Sequence, residues 1–204
     1  MISKAGLAAF IGFVSVGVSS LCVQAQERAP AVSEWINLRG VTAEAVGAPD
    51  YNVSVRNLRP PPGTSGRVEW LRVYAEYDTA PKWIDEITFT FYVVLQGNAA
   101  DLPEGAKQNN LFSGSVTYIN VPEARRMLAD VFLDPNTFAR YGKPTYSAVV
   151  VTINGEPAAG KANPENSAQS KWWTKETPNA VPLLSRKETP FMMVEHDRLP
   201  TIQP

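Results

Sequence analysis

Hydrophobic and polar residues alternate with a period of two along much of the chain, and the longest such stretch runs from Arg67 to Gly97. Ile87, Phe89, Phe91, Val93 and Leu95 share one face there, opposite Thr88, Thr90, Tyr92 and Gln96. Leu71, Val73, Ala75 and Tyr77 repeat the pattern against Arg72, Tyr74 and Glu76. The spacing predicts two long strands joined by a turn at Thr79 to Trp83, with a bulge at Trp70-Leu71, where Val68 and Trp70 fall out of phase. Trp35 to Val46 alternates on both sides of Gly40, which marks a second bulge, and Tyr51, Val53 and Val55 form another short run. Phe112 to Val121 and the β-branched run Thr145 to Asn154 add strands, the latter ending in the hairpin dipeptide Asn154-Gly155. Further strands are expected at Trp172-Trp173 and from Phe191 to His196. One segment reads as helix: Pro122 and Glu123 suit a first turn, and Met127, Leu128, Val131 and Phe132 make an apolar stripe. Asp134-Pro135 closes it and caps a further turn through Phe138 and Tyr141 that stops at Gly142.

Between these elements, Arg59 to Gly66 reads as a stiff proline-rich connector, with a docking segment for a partner as the alternative, while Asn98 to Asn110 and Lys161 to Ser170 read as polar loops. The total, roughly seven to nine strands at sandwich-like spacing, predicts an all-β fold. It reads as an immunoglobulin-like antiparallel β-sandwich with one short inserted helix at about 122–133. A partly closed barrel is the alternative. No repeat or composition break divides the domain, which is expected over residues 35–198, between a mobile leader at 26–34 and a C-terminal tail at 199–204.

The first residues change this picture of a plain globular domain. Lys4 precedes an uncharged apolar run from Ala5 to Val23, and Val23-Gln24-Ala25 then meets polar Gln26 and Glu27. This is the pattern of a secretory signal peptide over residues 1–25, cut after Ala25; an uncleaved membrane anchor is the competing reading. Lipidation of Cys22 is disfavoured, because Leu21 stands where a lipoprotein signal needs a small residue. Cleavage removes the only cysteine, leaving no thiol, disulfide or cysteine metal site, which fits the periplasm or outer surface of a bacterium. The Asn52-Val53-Ser54 sequon is then accidental. A formal net charge of -1 argues against nucleic acid as a partner, and no later segment is apolar enough to span a membrane.

Candidate chemistry is thin. His196, the single histidine, sits between Glu195 and Asp197, so a serine hydrolase would have to use it as base, and no serine stands in a Gly-x-Ser-x-Gly elbow. One histidine does not make a zinc site of the usual kind. Asp101 and Glu104 could offer calcium oxygens, but without EF-hand spacing. Asp78, Asp85 and Glu86 could serve a glycosidase, yet adjacent Asp85 and Glu86 point to opposite strand faces. No catalytic residue, metal or cofactor is therefore expected. Aromatic residues carry more: Trp172 and Trp173 are consecutive, so on a strand one of them faces outward, and Trp83 and Tyr92 join them as a candidate contact surface.

The central run supplies a family resemblance. Val68-Glu69-Trp70-Leu71-Arg72-Val73, Trp83-Ile84-Asp85-Glu86-Ile87-Thr88-Phe89 and Tyr92-Val93-Val94-Leu95 resemble exported immunoglobulin-like proteins of verrucomicrobial-type bacteria, some encoded beside type IV pilus assembly genes. The resemblance implies an oligomeric envelope protein associated with a pilus-like or surface assembly; the export signal, the single domain and the missing catalytic set add the expectation of a non-enzymatic protein acting through contacts with envelope proteins or copies of itself. The resemblance transfers no functional residue, since the segments it rests on are strands. A carbohydrate-binding module using Trp83, Trp172 and Trp173 is the alternative function, and a hydrolase the second alternative.

Overall fold

The structure, a computed structural model, describes residues 31–49, 68–100, 102–104, 107–194 and 199–203. Two strands dominate it: β2 (Glu69–Gln96) and β3 (Asn109–Leu133). They form one antiparallel hairpin, paired from Leu71↔Leu133 at its open end to Gln96↔Asn109 beside the connecting loop. One edge of β2 carries β1 (Ile36–Gly47) along its first half and β4 (Lys143–Ile153) along its second. β5 (Glu156–Asn163) extends the sheet beyond β4 through the Asn154-Gly155 turn, where both residues take positive φ, as a tight hairpin turn of this kind requires.

The hairpin bends over on itself. Irregular register at Tyr77/Thr79 and Thr79/Trp83 coincides with positive φ at Asn120 and Arg126 on the facing strand. Two short strands then close the fold: β6 (Leu184–Ser185) pairs with Val131 and Phe132, and β7 (Thr201–Ile202) with Tyr118 and Ile119. Leu183 donates its N–H to Ser113 O at 2.9 Å, while its neighbour Leu184 pairs with Phe132. Ser113 and Phe132 stand nineteen positions apart on β3, about 60 Å in a straight strand. A single residue step bridges them only because the hairpin has folded into two layers.

The result is an antiparallel all-β, sandwich-like fold of seven strands among the described residues, with one short α-helix. Inward residues of the bent hairpin, Leu71, Val73, Ala75, Tyr77, Ile87, Phe89, Phe91, Val93 and Leu95, are wholly buried and face Val116, Tyr118, Val121, Ala129 and Val131. Phe89 lies 4.8 Å from Tyr77 and 5.9 Å from Tyr118 between ring centroids, so the aromatic core joins both layers.

Several expectations need correction. Residues 122–133 are strand, as part of β3, and the helix α1 (Pro135–Tyr141) follows instead, its start capped by Asp134, which accepts from the Asn136 and Thr137 N–H groups, and its end by Gly142. Ala129, Val131 and Leu133 face the core, while Asp130 and Phe132 are buried on the other face beneath residues 183–191. Burial on both faces erases the alternation and imitates a helical stripe. Thr79 to Trp83 is not a turn but an irregular stretch inside one continuous strand. No register shift occurs at Trp70-Leu71; Trp70 faces outward and packs edge-on against Phe191 at 5.9 Å. The bulge expected at Gly40 is present, between Leu38 and Gly40. Trp172–Thr174 and Pro190–Met193 are 3-10 turns where strands were expected. Val32 of the leader packs on the core, and Thr201–Ile202 of the tail is paired with β3. The signal segment 1–25, the run Tyr51 to Val55, the sequon, the proline tract, Asp101 and His196 lie outside the described residues. Among the described residues, no helix is long and apolar enough to cross a membrane.

Candidate functional site

Three of the four aromatic candidates meet on the outer face of the second half of the hairpin. Tyr92 points outward from β2, and the Trp173 ring stacks on it at 6.3 Å and 27°. Trp172 stands edge-on to Trp173 at 5.5 Å and tilts by 52° toward Tyr146 of β4 at 6.0 Å. In a 3-10 turn successive side chains are about 120° apart rather than opposed, so both tryptophans reach the same sheet face and both are half-buried. Tyr146, absent from the sequence-level candidates, is 44 % exposed. The signal for it lay in Pro144: proline donates no ladder hydrogen bond, the register slips between Val94 and Leu95, and Thr145 turns its hydroxyl to Val94 O at 3.2 Å. That bulge aims Tyr146 outward.

The cluster borders a cleft of about 520 Å³. Its floor is Leu111, Val94 and Tyr146, side by side on β3, β2 and β4. Its wall is the segment 164–176, which lies over the sheet through the Trp173–Tyr92 and Trp172–Tyr146 contacts and is braced within itself by hydroxyls: Ser167 Oγ donates to Pro164 O at 2.6 Å and Ser170 Oγ to Ser167 O at 2.8 Å. Trp172 Nε1 donates to Ser167 Oγ at 3.3 Å, which ties the indole to that wall. Asn109, Asn166, Lys175 and Glu176 complete the lining.

Trp83 is elsewhere. It lies on the irregular stretch of β2, opposite Pro122, and is 59 % exposed. Nine strand positions separate it from Tyr92, about 30 Å of extended backbone. The four candidates are thus two surfaces.

Of the carboxylates considered for catalysis, Asp78 is engaged in holding the frame. Both Asp78 oxygens accept from Arg39 Nε at 2.9 Å, and Oδ1 also accepts the Arg126 N–H at 2.9 Å; these contacts hold its carboxyl below the usual carboxylate range. Asp85 is exposed, and Glu86 is positioned by its backbone N–H, which donates to Asn154 Oδ1 at 3.1 Å. Among the described residues, no group of three or more His, Cys, Asp or Glu side chains gathers to hold a metal.

A buried ionic cluster was not legible as a unit. Asp130, wholly buried, accepts from Arg72 Nε at 3.0 Å through Oδ2 and from Arg186 Nε at 3.0 Å through Oδ1; Arg186 Nη2 also pairs with its Oδ2. Arg186 Nη1 donates to Phe191 O at 3.0 Å and to Val194 O at 2.6 Å. Phe132 and Phe191 stack beside it at 4.5 Å. The cluster fastens residues 184–194 to the outer face of β2 and β3.

A protein-family model matches residues 27–204. A crystal structure of a protein from Akkermansia muciniphila, a verrucomicrobial bacterium, is similar, with a TM-score of 0.64 and 26 % sequence identity, over 83 % of this chain and 93 % of that one. A search of curated proteins finds no match.

Proposed function

We propose that this chain, which belongs to the family matched over residues 27–204, is an exported envelope protein that works by protein contact rather than catalysis, within a type IV pilus-like or surface assembly. The observation that carries the reading is Trp83, a tryptophan 59 % exposed at the bend of the longest strand. Tryptophan is costly to leave in water and is among the residues that most often anchor interfaces. Its bend is stiffened by the Thr79 hydroxyl, which donates to Pro122 O at 2.8 Å and accepts from Ala124 N at 2.9 Å, so the ring is presented on a fixed platform. Export is supported by a family match that begins just past the expected cleavage after Ala25. The similar verrucomicrobial structure supports the bacterial setting.

The test is affinity capture from an envelope extract with wild-type chain and Trp83→Ala, alongside a solution mass measurement. Wild type is expected to retain defined envelope proteins or copies of itself, and Trp83→Ala to lose most of that retention, in line with an anchor worth roughly 2 kcal/mol or more. A strictly monomeric protein whose capture profile is the same with and without Trp83 would sink the reading.

A further inference from the structure

We propose that the cleft between the 164–176 segment and the outer sheet face binds an oligosaccharide, at a site separate from the Trp83 contact. Sugars are amphipathic: a pyranose ring offers C–H faces to aromatic rings, while its hydroxyls need directional donors and acceptors. The cleft supplies both. Tyr146 and Trp172 lie 6.0 Å apart and tilted by 52°, so they do not stack on one another. Tyr146 keeps 44 % of its surface open. The Trp172 indole is held by Ser167, so this aromatic wall is formed before any ligand arrives.

Asn109 and Asn166 line the same cleft, and neither side chain hydrogen-bonds to another of the described residues. An amide offers both donors and acceptor, which suits a hydroxyl that must give and take at once. Lys175 and Glu176 in the lining carry opposite charges, with Glu176 also 3.6 Å from Lys107 outside it, so recognition does not rest on one strong charge. The volume of about 520 Å³ falls within the roughly 300–1,000 Å³ usual for ligand sites.

A peptide added as a strand is a poorer occupant. Strand addition needs a free backbone edge, whereas Val94 is paired with Leu111 on one side and Tyr146 on the other, and Leu111 O accepts the Asn179 N–H at 2.7 Å. At Val94 and Leu111 the cleft therefore offers a sheet face; β5 covers β4 only from Ser147 onward, which leaves Tyr146 as a lining position beside an open strand edge, and the peptide arm below tests it.

The experiment is an array of neutral and acidic oligosaccharides probed with the purified chain, followed by titration calorimetry on the strongest hit. Wild type, Tyr146→Ala, Asn166→Ala and Trp83→Ala are compared, each checked for folding by circular dichroism. Binding to at least one oligosaccharide class is expected, weakened about tenfold or more by Tyr146→Ala, less by Asn166→Ala, and not at all by Trp83→Ala. A synthetic peptide of residues 59–66, Arg-Pro-Pro-Pro-Gly-Thr-Ser-Gly, provides the competing arm. A blank array with folded wild type, glycan binding indifferent to Tyr146, or Tyr146-dependent binding of the peptide alone would each overturn the proposal. None of these results bears on Trp83, whose contact is read by capture and mass.

Discussion

Asp130 shows how one residue can commit a segment of chain. A carboxylate without solvent is stable only when its charge and lone pairs are met, and here two guanidinium groups meet them. Asp130→Ala leaves those guanidiniums without their anion, and urea unfolding is expected to show a loss of roughly 3–5 kcal/mol; a loss below about 1 kcal/mol would contradict the cluster's structural role. Tyr77 makes the opposite case. Its hydroxyl is buried with no partner among the described residues, and burial raises its pKa well above the ordinary tyrosine value. The phenol is neutral in both folded and unfolded chains below about pH 10, so its contribution is intact there. As pH climbs from the unfolded value toward the higher folded one, the unfolded chain sheds the proton first and stability falls. Tyr77→Phe is therefore expected to cost nothing, or to stabilise by up to about 1 kcal/mol, and to soften the alkaline loss. A clear drop in melting temperature at neutral pH would show that the hydroxyl has a partner after all.

At the scale of elements, the sequence was most legible where one strand face is buried and the other wet. Ile87 to Leu95 and Leu71 to Tyr77 alternate in the structure as they do in the chain, and Gly40 and Asn154-Gly155 mark the bulge and the turn they announce. Legibility failed where a second layer covers the outer face. Phe132 and Asp130 are buried by residues far along the chain, so their polarity pattern records a contact that no local window contains. The positive φ of Arg126 adds to this by shifting the phase of Met127 and Leu128. The same limit applies to the cleft. Trp172, Trp173 and Tyr92 were visible as exposed candidates, but their meeting depends on 164–176 folding back, and Tyr146 joins only through the slip at Pro144. Trp83 needed no such partner and stood out unaided.

Across the whole molecule, the two layers are held at Leu183 to Ser185, which bind both ends of the bent β3. Gly114 is part of that closure: a Cβ there would collide with the Leu183 carbonyl, a backbone group with little room to yield. Gly114→Ala is expected to cost about 1–3 kcal/mol and to speed cleavage after residue 179 in limited proteolysis; unchanged kinetics of cutting would show that the two layers hold without this junction. The junction also orders events in time. Synthesis runs from the N-terminus, so β1 to β5 all precede the residues that lock them, and the pairing of Leu183 with Ser113 is a distant contact that forms slowly. Until it forms, the two ends of β3 lack this bridge. In the exported protein proposed above, a fastener that arrives last would leave the chain threadable while most of its length is already made, the condition that passage through a narrow export pore demands.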